Sequence, residues 1–338
     1  MSLTDPWRLG PYEIPNRVLL APLAGIGTWF VRLQARRHGA GMAVSEMVSS
    51  FAIHHRNEKT MRELLFVHPD ERALGAADGA PVSIQLFGQD PDVMRSAAET
   101  AAQAGAGVID LNMGCPVPKV CKTGAGAALI KDPDTAVAVA RAAAEGSGLP
   151  VTVKLRSGQR PGETDGYALA HRLVDEAGVA AIGFHPRSAA VHHKGTPDYD
   201  LAARLVASLD APVILTGGLH TPAEIDAAYE RTGAAAVMLA RGSLGNPWLF
   251  EQVLGRREGE PEPAEVQAEL DWLMDRAVEH LGEPRAARWL RKAYPWYVQR
   301  LVADPRAQKQ LNEALQRTAS PAQARALLAA VPAAPIPV

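Results

Sequence analysis

Eight short apolar runs recur through the first two thirds of the chain, and they limit the fold more than any other feature. They are VLLA (18–21), MAVSEM (42–47), VSIQLFG (82–88), GVIDLN (107–112), VTVKLR (151–156), AAIGFH (180–185), VILTGG (213–218) and AVMLARG (236–242). Most are continuous rather than alternating, as parallel strands covered on both faces require. Amphipathic helical patterns separate the later ones, at 133–145, 166–177, 199–209 and 222–231. Asp132 before Pro133, and Thr221 before Pro222 with Glu224 behind it, are helix-start signals. Eight strands with intervening helices predict an α/β fold, a (β/α)8 TIM barrel of roughly 250 residues. A doubly wound sheet is the rival, but its Gly-rich phosphate loop follows the first strand. Here the first strand runs into APLAGIG, without G-x-G-x-x-G spacing, and the glycine-rich turns come late.

Strand signals stop after Pro247, and the charged, proline-rich stretch at 258–267 reads as a linker. Beyond it Val266, Leu270, Leu273, Ala277 and Leu281 share one helical face. A second helix is expected over 285–302, broken near Pro295, with two more near 305–317 and 321–331. The expected organisation is a barrel over 10–255, a C-terminal helical domain over 264–331 and a frayed tail, PAAPIPV.

At 338 residues, 47% apolar, the chain can bury a core without disulfides or metals. No run of about 18 apolar residues suggests a membrane span. The start, MSLTDPWRLG, has charges and a proline but no apolar signal core, so a cytoplasmic protein is expected. The net charge of −2 argues against a generally basic nucleic-acid binder. Within 285–317, however, eight basic residues face two acidic ones, a local +6.

Barrel enzymes carry their chemistry where the strands end. The polar strand ends here are Gln85, Asn112, Lys154, Arg156, His185, Thr216-Gly217-Gly218 and Arg241-Gly242. Alone, each has a bland reading: a core amide, a surface lysine, a turn glycine. Together they are harder to dismiss, because unpaired buried polar groups cost about 1–3 kcal/mol each. The last two ends suit a phosphate, held by glycine N–H groups and an arginine fork. Lys154 suits a flavin, since a cation near its N1–O2 edge stabilises the anionic reduced ring.

Both cysteines lie in DLNMGCPVPKVCKTGAG. Cys-x5-Cys is not a zinc spacing, no metal is expected, and a reducing compartment disfavours a disulfide. Cys121 reads as an ordinary thiol. Cys115 stands in a Gly-Cys-Pro turn just past a strand end. Its ordinary pKa of about 8.5 leaves it protonated at neutral pH, fit to act as a general acid.

These residues carry a resemblance. The chain resembles the flavin-dependent tRNA-dihydrouridine synthases, most closely the bacterial B-type group. The matching segments are NRVLLAPLAGIG, VSEMVSS, VSIQLFG, IDLNMGCPVPKV, VTVKLRSG, HPRSAAVHHKGTPDYD and ARGSLGNPWLF, with RAARWLRKAYPWY in the C-terminal region. The resemblance implies a barrel with tightly bound FMN that reduces the 5,6 double bond of a tRNA uracil, recharged by NADPH or NADH. Pro22, Leu23, Ala24, Gln85, Lys154 and His185 would contact the flavin. Gly217, Gly218, Ala240 and Arg241 would hold its phosphate. Asn112 would sit between flavin and uracil. Cys115 would protonate C5 as hydride reaches C6, a placed acid contributing roughly 10²–10⁴-fold.

Lys119, Arg156, Arg187, Arg285, Arg288, Arg291 and Lys292 are expected on the tRNA side, tracking phosphates while the base leaves its stack. Leu23 stands where the family commonly has Met, Thr216 where Asn is usual, Ala240 where Gly is usual, and Pro186 stiffens the turn after His185. None of these departures removes a chemical function. The expected partners are tRNA and NADPH, with no membrane and no obligate protein partner. The alternative is a small-molecule flavin oxidoreductase of the dihydroorotate or dihydropyrimidine dehydrogenase type, which needs no basic C-terminal helices.

Overall fold

The apolar runs become parallel strands whose side chains are buried on both faces. The computed structural model describes residues 1–331, so the tail expected to fray at 332–338 lies outside it. The chain divides into two compact units, Met1–Ala240 and Arg241–Val338.

In the first unit, β1 (Trp7–Leu9) and β2 (Tyr12–Ile14) pair as an antiparallel hairpin. The remaining strands are β3 (Val18–Leu20), β4 (Val48–Ser49), β5 (Ser83–Phe87), β6 (Val108–Met113), β7 (Val151–Arg156), β8 (Ala181–His185), β9 (Val213–Thr216) and β10 (Ala236–Leu239). They form one parallel sheet in the order β3-β10-β9-β8-β7-β6-β5-β4. The bridges Leu20↔Ala43 and Val44↔Ser83 join its two sides, so the sheet closes as a barrel.

The run at 42–47 is thus not the continuous strand expected. Residues 43 and 44 bridge, and then side chains take over the ladder. Ser45 Oγ donates to the Glu46 carbonyl and accepts the Gln85 N–H at 2.9 Å, while Glu46 Oε2 accepts the Gly25 N–H at 2.7 Å. Side-chain bonds to backbone groups, such as the local one from Ser45 to Glu46, compete with regular pairing. The chain re-enters the sheet only at Val48–Ser49.

Intervening helices start where their caps dictate. Asp132 accepts the Thr135 N–H ahead of Pro133–Ser147, and Thr221 with Glu224 forms a capping box ahead of Pro222–Thr232. The β1–β2 hairpin was not foreseen. Its Trp7, Leu9 and Ile14 pack in one apolar cluster with Val108, Ala181 and Ala236, the first residues of β6, β8 and β10. The hairpin therefore plugs the N-terminal end of the barrel and leaves the C-terminal end for polar groups.

The second unit is helical: Trp248–Val253, Pro263–Leu281, Glu283–Leu290, Tyr294–Leu301, Pro305–Arg317 and Pro321–Ala329. Val266, Leu270, Leu273 and Ala277 are buried as their spacing predicts, while Leu281 is half-buried. The expected helix over 285–302 is two helices. Pro295 sits in the first turn of the second, where its missing N–H is harmless, and the break precedes it at 291–293. No helix among the described residues is long and apolar enough to cross a membrane.

Candidate active site

The parallel strands bring their C-terminal ends to one end of the barrel. Gln85, Asp110 and Thr152 share a row across β5, β6 and β7, and Asn112 pairs with Lys154 in the next row outward. Their side chains form a directed chain. Thr152 Oγ1 donates to Asp110 Oδ1 at 2.5 Å, and Gln85 Nε2 donates to Asp110 Oδ2 at 2.5 Å. Asn112 Nδ2 donates to Gln85 Oε1 at 2.9 Å. Asn112 Oδ1 then accepts the backbone N–H of Cys115 at 2.9 Å and of Gly114 at 3.3 Å. A polar path thus leads from the barrel interior to the cysteine turn.

That turn is held from several sides. The Cys115 carbonyl accepts the Ala127 N–H at 3.0 Å and the Cys121 thiol at 3.2 Å, so Cys121 supports the turn beside it. Gly126 has φ +64, and a Cβ there would come within 2.8 Å of the Cys115 carbonyl oxygen, so only glycine allows the approach. Arg156 Nε donates to the Gly114 carbonyl at 3.0 Å, and its Nη1 binds the Ser188 and His192 carbonyls. Arg156 is thereby a buried clamp between the loops after β6 and β8.

Electrostatics at this end follow from burial. Desolvation pushes the half-buried Cys115 thiol above its ordinary pKa against a hydrogen bond from the Val117 backbone, with Cys121 adding to the rise and Arg156 and Lys154 opposing it. The thiol therefore keeps its proton at neutral pH, as an acid must. Desolvation, then the Arg156 charge, lowers Lys154 to about 8, so it remains mostly a cation at pH 7. Burial raises Asp110 to about 6 against its hydrogen bonds from Thr152 and Gln85. His185, buried and then opposed by Lys154, Arg156, Arg187 and His193, lies well below the ordinary histidine range. It is neutral, and its Nε2 faces Arg187 Nη1 at 3.4 Å as an acceptor.

Past β9 the chain turns through Gly217 (φ +99) and Gly218 (φ +78). A Cβ on Gly217 would lie 2.4 Å from the His185 ring, and one on Gly218 would lie 2.6 Å from the Tyr199 hydroxyl. Tyr199 donates that hydroxyl to the Gly217 carbonyl at 3.0 Å, fixing the peptide. Only glycines fit, and their N–H groups stay free of side chains.

The sequence-predicted residues fall into three groups. Asn112, Cys115, Lys154, Arg156, His185, Arg187, Gly217 and Gly218 lie in or directly after the C-terminal halves of barrel strands, and Gln85 lies at the centre of β5. Arg187 is buried and donates to the Gly195 carbonyl at 2.6 Å. Pro22 is half-buried, Leu23 buried and Ala24 exposed in the turn after β3, and Lys119 is exposed in the short helix Pro118–Cys121. Ala240 ends the first unit and Arg241 opens the second in the 3-10 turn Arg241–Ser243. Arg285 and Arg288 lie on Glu283–Leu290, whereas Arg291 and Lys292 lie in the turn after it. Arg291 is anchored to the Thr318 carbonyl at 3.1 Å, and Arg288 and Lys292 are exposed.

Asp110 and Thr152 were missed. The available signal was a lone carboxylate inside the apolar run VIDLNM, in register with a glutamine and a threonine on its neighbours. A half-buried cation, two oriented amides and a paired-glycine cradle together meet the needs of a flavin mononucleotide. The cation serves the ring edge, and bare N–H groups serve a phosphate.

Comparison with known proteins places the chain in a family. A family profile described as dihydrouridine synthase (Dus) matches residues 19–334. The chain is 33% identical over 330 residues to tRNA-dihydrouridine synthase B of Pseudomonas aeruginosa, covering 95% of this chain and 96% of the relative. It is 34% identical over 300 residues to tRNA-dihydrouridine synthase B of Xanthomonas axonopodis pv. citri, covering 86% of each. Among solved structures, morphinone reductase superposes with a TM-score of 0.55 at 19% identity, over 78% of this chain and 92% of the other. That likeness speaks for the fold alone.

Proposed function

The chain belongs to the dihydrouridine synthase family, and from that premise we propose that it reduces the 5,6 double bond of a uracil in tRNA. FMN would be its bound cofactor and NADPH, or NADH, its reductant, in the cytoplasm. The observation that carries this reading is the Cys115 thiol, kept protonated by burial and held in a turn whose amides are bound by Asn112.

Lys154, Gln85 and His185 would hold the flavin ring and ribityl chain, with Pro22, Leu23 and Ala24 alongside, and Gly217 and Gly218 would offer N–H groups to its phosphate. When bound, the flavin supplies hydride to uracil C6. The residues do the rest. Asn112 orients the reacting base, and Cys115 Sγ delivers the proton to C5. Arg156 keeps the Cys115 turn against β7, and neutral His185 binds without adding charge. A weakly basic carbon needs such a positioned acid, which contributes roughly 10²–10⁴-fold.

The second unit favours RNA over a free pyrimidine. Exposed Arg288 and Lys292, with Arg285 nearby in sequence, supply cations that a small substrate does not need. From the family resemblance, Ala240 and Arg241 would also hold the phosphate. Purification tests the proposal. The protein should emerge yellow or take up FMN, and with NADPH it should form dihydrouridine in unmodified tRNA but not from free uridine. A colourless protein that binds no FMN would remove the flavin chemistry, and equal turnover of free uridine would favour the small-molecule alternative.

A further inference from the structure

We propose that Asp110 is a positioning residue for the Cys115 turn. As the terminal acceptor of a one-way chain of hydrogen bonds, it holds Gln85, and through Gln85 it holds Asn112, in the orientation that binds the N–H groups of the cysteine turn.

The sense of the chain is set at both ends. The backbone N–H groups of Gly114 and Cys115 can only donate, so Asn112 must offer Oδ1 to them. Asn112 Nδ2 is then left to donate, and Gln85 Oε1 receives it. That leaves Gln85 Nε2 in need of an acceptor inside the barrel. An ionised carboxylate accepts and cannot donate, so Asp110 forbids the flipped glutamine. Thr152 donates to the other carboxylate oxygen and completes the set.

Without an acceptor at position 110, Gln85 Nε2 is left buried without its partner, and the native orientation of the amide loses the bond that favours it over the flipped one, the two ends having the same shape. The flipped form presents Nε2 to Asn112 Nδ2, two donors face to face, and Asn112 lets go of Gln85 or of the turn. Backbone register fixes the row Gln85–Asp110–Thr152, so the chain needs no loop to form it. Lys154, the charged group facing Asp110, favours the ionised carboxylate against the cost of burial.

This role builds on Cys115 being the acid, but its readout stands without that chemistry. In full-length protein carrying Cys121→Ser, Cys115 is the only thiol, and its alkylation by iodoacetamide reports how firmly the turn is held. The rate is measured with and without FMN. Asp110→Leu should raise it about fivefold, the worth of roughly one net hydrogen bond. Asp110→Asn keeps an oxygen for Gln85 Nε2 and should stay within about twofold of the parent, a rescue that volume alone does not explain.

Asp110→Leu combined with Asn112→Ala should be no faster than Asn112→Ala alone, since both cut one chain. Gln85→Met carries the same prediction as Asp110→Leu if the latter does not fold. A parental rate in Asp110→Leu or Gln85→Met, an equal rise in Asp110→Asn, or multiplying effects in the double variant would overturn the role. Failure to form dihydrouridine, with these rates as expected, would instead strike the acid reading.

Discussion

Two polar regions of this protein are built on opposite plans. At the barrel mouth, Thr152, Asp110, Gln85 and Asn112 are each oriented by a neighbour, and the last of them binds the Cys115 turn. In the second unit the cations are mostly exposed. Arg285 reaches back to the Leu281 carbonyl and Arg291 to that of Thr318, and Arg288 and Lys292 are exposed. The first plan fixes atoms, as chemistry requires, and a buried network fails when one member is lost. The second supplies charge, which a phosphate backbone reads with little demand on geometry. Substitutions should therefore act sharply in one region and by degrees in the other.

The largest expected effect concerns Asp110. Its folded pKa of about 6 lies above the ordinary value, so its contribution favours folding at low pH and is lost as pH rises through about 6. Two units correspond to about 3 kcal/mol, so Asp110→Asn should gain up to that much stability at pH 7 and almost none near pH 3. Denaturant titrations across pH measure this, and parallel curves for the two proteins would show that Asp110 is not a buried, ionising group.

Next, Asn112→Leu should slow dihydrouridine formation about a hundredfold by letting the thiol shift, while circular dichroism stays unchanged. A loss of only a few-fold would erase the contrast between the regions. Third, if Lys154 pairs with an anionic flavin, FMN binding should weaken as pH rises through about 8, by up to about tenfold per pH unit. Lys154→Met should bind weakly with a flat profile, and fluorescence titration compares them. Smallest is Arg288→Glu. It should weaken tRNA binding and lower the slope of log affinity against log salt by about one if one phosphate contact is lost. Flavin reduction by NADPH should be untouched. A collapse of both would place Arg288 with the first plan.

Much of this contrast was legible in the amino-acid sequence. The VTVKLR run is β7 to the residue, because Val151, Val153 and Leu155 are buried as a covered parallel strand requires. The caps at Asp132 and Thr221 marked helix starts because their side chains satisfy N–H groups that every helix leaves open. Other parts were not legible. MAVSEM has a strand's composition, but Ser45 and Glu46 use their side chains where a ladder would run. The hairpin at Trp7–Ile14 has three-residue strands, too short for a pattern.

Gln85, Asn112, Lys154, Arg156, His185, Gly217, Gly218 and Arg241 follow from one rule, polar groups at strand ends, while Pro22, Leu23, Ala24 and Ala240 follow from the family resemblance alone. What that rule missed was the supporting row beneath them. Asp110 and Thr152 matter through register with Gln85, which emerges only when strands from distant parts of the sequence pair. The clamp made by Arg156 was not legible either, because nothing local reveals that the Gly114, Ser188 and His192 carbonyls converge on it.

The most direct test of the central claim, that Cys115 is the acid of a tRNA-reducing flavoenzyme, is a map of dihydrouridine in tRNA from cells lacking this protein. The cells are then complemented with wild type or with Cys115→Ala. Wild type should restore dihydrouridine at the sites lost, and Cys115→Ala should not, although the purified variant still binds FMN and accepts electrons from NADPH. Equal restoration by both would contradict the claim.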